Sequence, residues 1–561
     1  MRPACGRCRV VVATCEREIW TPSRIGAPEI GGATMEDVTD TRFSMHDTAV
    51  VETTNGPVRG TGDGVVTRWL GVRYAAAPVG PLRWRAPQPP QPWTEPADAT
   101  VLGPVCPQPT DPRIPLDLGA PQGADCLTVN IWAPTRGDGP EGDGPEGDAH
   151  KPVLVWVHGG AYILGSGAQP LYNGRELAAG GDVVVVTVNY RLGPFGFLDL
   201  SWLGEGFETN TGLRDVLFAL RWVRENIANF GGDPDRVTLF GESAGGGVVT
   251  TLLASPAAEG LFSRAIAQSS PVTSVYDQKR AQRIGEQFLG ELGMTARQSD
   301  QLSELPVTAI IAAAKELFND VPRLAPGTLG FAPIVDGDIV PDYPVNVARS
   351  GRTLPVPLII GTNEHEAALF RWMRSPLLPI SGQAISEMFT AIASEQPDLQ
   401  IPTPAQIAAV YRGRGKKPGL GVARDIGFRM PSIWFAEGHS VVAPVYMYRF
   451  DWSTPMLRVL GLGGAHATEL PYVWGNLVAG RRDPTFKLGG LGAGTEVSHR
   501  MRQRWCNFAR GGSPDADEGP RWRPYDEKNR VNLLIGRDDQ LAFDPDHIQR
   551  STWGTEVLSF R

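Results

Sequence analysis

Apolar positions along this chain gather into short unbroken runs separated by glycine-rich turns. VLVWV (Val153–Val157), VVVVTV (Val183–Val188) and VTLF (Val237–Phe240) are β-rich and continuously apolar, a pattern that predicts strands buried on both faces. Between the second and third run, Leu213, Val216, Leu217, Leu220, Val223 and Ile227 recur at helical spacing, with Arg214, Asp215, Arg221 and Arg224 between them. That periodicity predicts an amphipathic helix, and strand, helix, strand implies a parallel crossover. PLII (Pro357–Ile360) and VYMYRF (Val445–Phe450) read as further strands, and Lys279–Leu292 as a helix. Near the start, VVETTNGPVRG carries Asn55-Gly56 between strand-like residues, which predicts an antiparallel hairpin at a sheet edge.

Other stretches lack such patterning. Ala86–Trp93 is dominated by proline and leads to an irregular stretch with Cys106 and Cys126; it is expected to cover the core without building it. The acidic repeat Asp138–Asp148 has no apolar residue to bury and reads as a solvated loop without chemistry. No fixed-period repeat or linker divides the chain. The reading is α/β with a large open sheet: residues 47–561 as one catalytic domain with insertions, and residues 1–46 as a disordered extension.

Composition narrows the function classes. The chain has 561 residues, 42% hydrophobic and 20% charged, which excludes a disordered protein and predicts a large core. Against 61 acidic residues stand 53 basic ones, net −8, a balance that argues against nucleic acid as a partner. The longest apolar runs are strand-sized, far short of the ~18 residues of a membrane helix. Six cysteines are too few for a disulfide scaffold, and Cys5, Cys8 and Cys15 crowd the first fifteen residues. CGRC supplies half of a four-ligand zinc site at most, with His46 the nearest histidine; a disordered extension, or a true start at Met35 or Met45, is the preferred reading. The apolar run Val10–Cys15 is short and followed by Glu16, Arg17 and Glu18, a poor signal-peptide core, so the protein is read as cytoplasmic.

The chemistry gathers after the strands. Gly241-Glu242-Ser243-Ala244-Gly245 follows VTLF and precedes a helix-compatible run to about Ala254. In such an elbow a serine sits on a strained strand-to-helix turn at a helix N-terminus, with the next backbone N–H, that of Ala244, placed to donate to an oxyanion. His158-Gly159-Gly160-Ala161-Tyr162 closes the VLVWV strand, and Gly160 and Ala161 are candidate oxyanion donors because small residues let a carbonyl approach; His158 is read as structural. A serine needs an imidazole to take its proton and a carboxylate to orient that ring, in the chain order Ser, acid, His. His365, His439, His466, His499 and His547 follow Ser243, and His466 stands out in a glycine-rich loop after VYMYRF. For the acid, Glu364 and Glu366 compete after PLIIG, with Asp336 and Asp338 as outsiders. Gly490–Gly494 reads as a flexible loop and not a dinucleotide site, and Arg412, Arg414, Lys416 and Lys417 as a solvated loop. No cofactor and no metal is implied.

The segments GVRYAAAPVGPLRW, DCLTVNIWAP, HGGAYILGS, VNYRLGPFGFL, TGLRDVLFALRWVRENIANFGGDPDRVTLFGESAGG, FAPIVDGD, GTNEHEAALF and HATELPYVWGN resemble, in order, those of type-B carboxylesterases. That resemblance runs from about Val50 to the end. It implies an α/β-hydrolase fold, Ser243 as nucleophile, Glu366 as triad acid, His466 as base, and Gly160, Ala161 and Ala244 as oxyanion donors. Ala124 and Ala367 depart from the family's usual acidic residue and glycine, which puts local backbone geometry at issue. Cys106 and Cys126 resemble a pair that forms a disulfide in secreted members; in a reducing cytosol thiols are expected. The loop between them holds no tryptophan, so a choline ester is not the expected substrate. The expectation is a serine carboxylesterase acting on a small-molecule ester through an acyl-enzyme. The competing class is a binding or adhesion protein on the same fold. Lipase, thioesterase and amidase action share the machinery, and acyl preference and oligomeric state are not readable.

Overall fold

In a computed structural model, residues 47–110, 116–135, 150–411, 418–478 and 483–561 are described. The expectations for residues 1–46, for the acidic repeat and for the Arg412–Lys417 cluster lie outside them. The strands are β1 (Asp47–Val51), β2 (Val58–Gly62), β3 (Val66–Arg73), β4 (Ala97–Asp98), β5 (Thr128–Pro134), β6 (Lys151–Val157), β7 (Val184–Val188), β8 (Gly232–Glu242), β9 (Arg264–Gln268), β10 (Leu358–Asn363), β11 (Val445–Phe450), β12 (Val531–Ile535) and β13 (Gln540–Phe543). They form one sheet in the order β1-β2-β3-β5-β7-β6-β8-β9-β10-β11-β12-β13, with β4 beside β2. From β7 through β12 the neighbours are parallel, while β1–β3, β5 and β13 add antiparallel edges.

The apolar runs are central strands because each face of each strand has a helix layer to meet. Val153, Val155 and Val157 of β6 join one core, while Leu154 and Trp156 join the other. In register beside them, Val155 faces Val186 of β7 and Leu239 of β8. Successive side chains point to opposite faces, so a strand covered twice is mainly apolar on both, and a polar exception such as buried Thr187 of β7 donates to the Gly167 carbonyl. On one side packs helix Thr211–Asn226 through Leu213, Val216, Leu217, Leu220 and Val223; on the other, helix Leu491–Gly511 through Val497, Met501, Trp505 and Phe508. The first helix tightens into a 3₁₀ turn at Ile227–Phe230 and stops at left-handed Gly231, as glycine-terminated helices do.

Four details differ from the sequence expectations. Gly490–Gly494 is no flexible loop: Gly490 caps, and Leu491 opens, the 21-residue helix Leu491–Gly511, whose buried face outweighs the low propensity of its first glycines. The stretch around Cys106 and Cys126 does build core. Val105, Cys106, Cys126 and Leu127 are buried, and the Gln108 amide accepts from Gly165 N–H and donates to Gly165 O at 2.7 and 2.9 Å. Strand β9 escaped notice because RAIAQ offers few β-branched residues. VTLF is the end of a longer strand, β8. Elsewhere the hairpin forms as expected, β1 pairing with β2 across a Thr53–Gly56 turn.

Candidate active site

Strand β8 ends at Glu242, and helix Ala244–Leu253 begins one residue beyond Ser243. Ser243 joins them at φ 55°, ψ −124°, a conformation costly for a side-chain-bearing residue. The flanking glycines make that turn feasible. A Cβ on Gly245 would lie 2.0 Å from the Val157 carbonyl oxygen, and one on Gly241 2.6 Å from the Gly245 carbonyl carbon. The elbow therefore sits tight against the end of β6 and presents Ser243 Oγ to a cavity it shares with Ala161, Ala244, Phe370 and Phe428.

His466 lies in the loop between the short helix Pro455–Val459, which follows β11, and helix Leu470–Trp474. Its Nε2 is 2.9 Å from Ser243 Oγ and its Nδ1 2.7 Å from Glu366 Oε2. The other Glu366 oxygen accepts from Ser269 Oγ at 2.6 Å and from the Asn363 N–H at 2.7 Å, so the carboxylate is held at both ends. Phe370 and Phe428 pack on the imidazole with ring centroids 5.1 and 4.6 Å away. Of the two competing glutamates, Glu364 turns outward and pairs with His365 at 3.3 Å, whereas Glu366 is fully buried. Asp336 and Asp338 lie elsewhere, binding Thr209, Asn210 and Arg214. Among the other histidines, His439 is buried against Thr353 and Val356, His547 pairs with Asp544, and His499 is exposed on its helix. None joins Ser243.

The loop after β6 is sharply bent where it meets the same cavity. Gly160, Ala161 and Tyr162 take three successive positive φ values, 123°, 52° and 62°, and the Gly160 carbonyl accepts from Ile163 and Leu164 N–H. A Cβ on Gly160 would lie 2.1 Å from the Leu164 oxygen, which is why glycine stands there. Ala161 and Ala244 line the cavity beside Ser243. His158, buried and stacked on Tyr190, bonds Gly159 O through Nδ1 at 2.9 Å; burial pushes its pKa down to about 4. Ala367, in place of the family's glycine, opens helix Ala367–Trp372 and has no positive φ among the described residues, so alanine fits.

Two buried carboxyls were missed in the sequence. Glu242 Oε1 is 3.2 Å from His466 Nε2, and Glu469 binds Asn363 Nδ2 at 2.5 Å and Gln268 Nε2 at 3.1 Å. Their neighbourhood to serine and histidine in GES and HATE was the only available signal. Burial alone would depress the His466 pKa, but Glu242, then Glu366 and Glu469, bring it up to about 9. Burial lifts Glu242 to about 8 against the pull of His466, with Glu469 and Glu366 adding to the rise, and burial likewise raises Glu469. Glu242 and His466 compete for one proton and titrate as a pair.

A mostly parallel sheet covered by helices on both faces, with a serine elbow between strand and helix, defines an α/β-hydrolase. The chain belongs to the carboxylesterase family, whose model matches residues 47–552. It is similar to the para-nitrobenzyl esterase of Bacillus subtilis (strain 168), 38% identical over 89% of this chain and 97% of the relative. The phenmedipham hydrolase of Pseudarthrobacter oxydans is 31% identical over 90% and 99% of the two chains. A solved PNB esterase superposes with TM-score 0.76 at 36% identity, covering 90% of this chain and 99% of its own. The protein is accordingly a carboxylic ester hydrolase. Among the described residues no helix is long and apolar enough to cross a membrane.

Proposed function

We propose that this hydrolase works through an acyl-enzyme on Ser243, within one catalytic domain spanning residues 47–561. His466 takes the Ser243 proton, the serine attacks the ester carbonyl, and the N–H groups of Gly160, Ala161 and Ala244 hold the oxyanion. His466 then protonates the leaving alcohol, and a water activated by the same ring releases the acid. Glu366 holds the ring through its Nδ1. The observation that carries this reading is the line from Ser243 Oγ through His466 to Glu366, at 2.9 and 2.7 Å. The substrate is a small uncharged ester, because the cavity beside Ser243 is lined by apolar, aromatic and hydroxyl side chains such as Leu377, Met388, Tyr276 and Thr273, which offer no charge to pair with a buried ion. A cytoplasmic site of action fits Cys106 and Cys126, buried as free thiols.

Replacing Ser243→Ala is expected to lower kcat by on the order of 10⁶, because such residues act as a unit, and to abolish labelling by a fluorophosphonate probe. Retention of more than about a tenth of turnover on a short p-nitrophenyl ester would refute the assignment.

A further inference from the structure

One side of the cavity that holds Ser243 is closed by a segment hundreds of residues away in sequence: Leu558, Ser559 and Phe560 line it beside Met388 and Ile392. The segment has no regular secondary structure, yet Leu558 and Phe560 are 1% and 4% exposed. Something other than a backbone ladder must fix it. Arg280, from helix Gln278–Glu291, is that anchor. Its guanidinium lies 4.7 Å from the Phe560 ring centroid and 5.4 Å from that of Tyr276. Its Nε donates to the Arg561 carbonyl at 2.7 Å, and an Nη pairs with Glu395. Gln396 Nε2 adds a bond of 2.7 Å to the Ser559 carbonyl. The fit is close: a Cβ on Gly327, itself at φ +89°, would lie 2.8 Å from Met388 Sδ and 3.2 Å from Phe560 Cε2.

A wall held by side chains, and contributed by a segment that supplies nothing to the serine, histidine or glutamate, can change the shape of the cavity without touching the reacting atoms. We propose that Leu558–Phe560 is the wall that sets the chain length this esterase accepts, with Phe560 as its specificity-determining residue and Arg280 as the residue that positions it. The ring is a boundary of the cavity, so shortening it adds space continuous with the space the substrate already occupies. The proposal rests on the acyl-enzyme reading for the location of the reacting carbonyl.

Two substrate series test it: p-nitrophenyl esters from acetate to decanoate, and acetate esters of alcohols of increasing length, with kcat/KM measured for wild type, Phe560→Ala and Arg280→Ala. Each variant is first labelled with a fluorophosphonate to show that Ser243 is intact. In Phe560→Ala the long-to-short ratio of kcat/KM should rise by about tenfold in at least one series, the size of effect a methylene-scale change in an apolar pocket produces. Arg280→Ala should shift the same ratio, Arg280→Lys should restore part of it, and Arg280→Ala should add nothing further in the Phe560→Ala background. Where Phe560→Ala fails to fold, Phe560→Leu is read by the same criterion. A labelled variant whose ratios stay within twofold of wild type in both series overturns the wall, and an unmoved ratio in labelled Arg280→Ala overturns the anchor. Wild type that neither labels nor turns over would instead overturn the acyl-enzyme reading.

Discussion

Glu242 stands one residue before the serine and 3.2 Å from the same imidazole nitrogen that faces the hydroxyl. An anion there favours imidazolium, so in wild type the neutral ring proposed as the base is populated only at higher pH; burial opposes that rise, but the surrounding carboxylates bring His466 to about 9. Activity should therefore climb with pH on the alkaline side of an ordinary histidine. Glu242→Gln removes the anion and should move the ascending limb of kcat/KM down by about one to two pH units, the span a single close charge exerts. An unshifted limb would show that Glu242 does not set the base. Ser269 acts one bond further out, donating to Glu366 at 2.6 Å from a left-handed backbone, φ 46°. Ser269→Ala strips a hydrogen bond from a buried carboxylate, worth about 1.5–3 kcal/mol, and steady-state kinetics should register it as roughly a tenfold to hundredfold loss in kcat.

At the scale of elements, the strand-to-helix elbow is where sequence and geometry constrain each other most. A methyl group on Gly245 would have to displace the Val157 backbone, 2.0 Å away, whereas Gly492, in the first turn of helix Leu491–Gly511, has nothing within 4 Å. The two glycines should respond in opposite directions to the same substitution. Gly245→Ala is expected to destabilise by about 4 kcal/mol or more, the range of severe backbone conflict, and to cost activity with it. Gly492→Ala is expected to stabilise by about 0.5–1 kcal/mol through reduced freedom of the unfolded chain. Urea titrations of both variants would decide; equal midpoints would contradict the packing argument.

For the molecule as a whole, the buried pair Arg191–Asp215 ties the segment after β7 to helix Thr211–Asn226 underneath the sheet. Both side chains are at most 1% exposed and joined by two bonds of 2.6 and 2.7 Å, and Arg191 also reaches the Arg85 carbonyl at 2.8 Å. Removing one partner strands a charge in the core. Asp215→Leu alone should cost about 3–5 kcal/mol of stability, while Arg191→Met with Asp215→Leu should cost distinctly less, since a paired ion is dear to break and cheaper to replace. Denaturant midpoints of the single and double variants measure the difference; a double variant as unstable as the single would refute it.

Period and order were legible in the amino-acid pattern alone. Continuous apolar runs announced β6, β7 and the end of β8, and shorter β-rich segments β10 and β11, because a strand covered on both faces is built mainly from apolar side chains. Gly241 and Gly245 around Ser243 marked the elbow because no larger residue fits at either glycine so close to β6. The pattern could not choose between Glu364 and Glu366, two residues apart, since the choice depends on which carboxyl the end of β10 turns inward toward a histidine 100 positions later. Nor could it find Glu242 beside His466, or Phe560 at the cavity wall held by Arg280. These are distances between segments remote in sequence, and only the packing of the helices on the sheet brings them together.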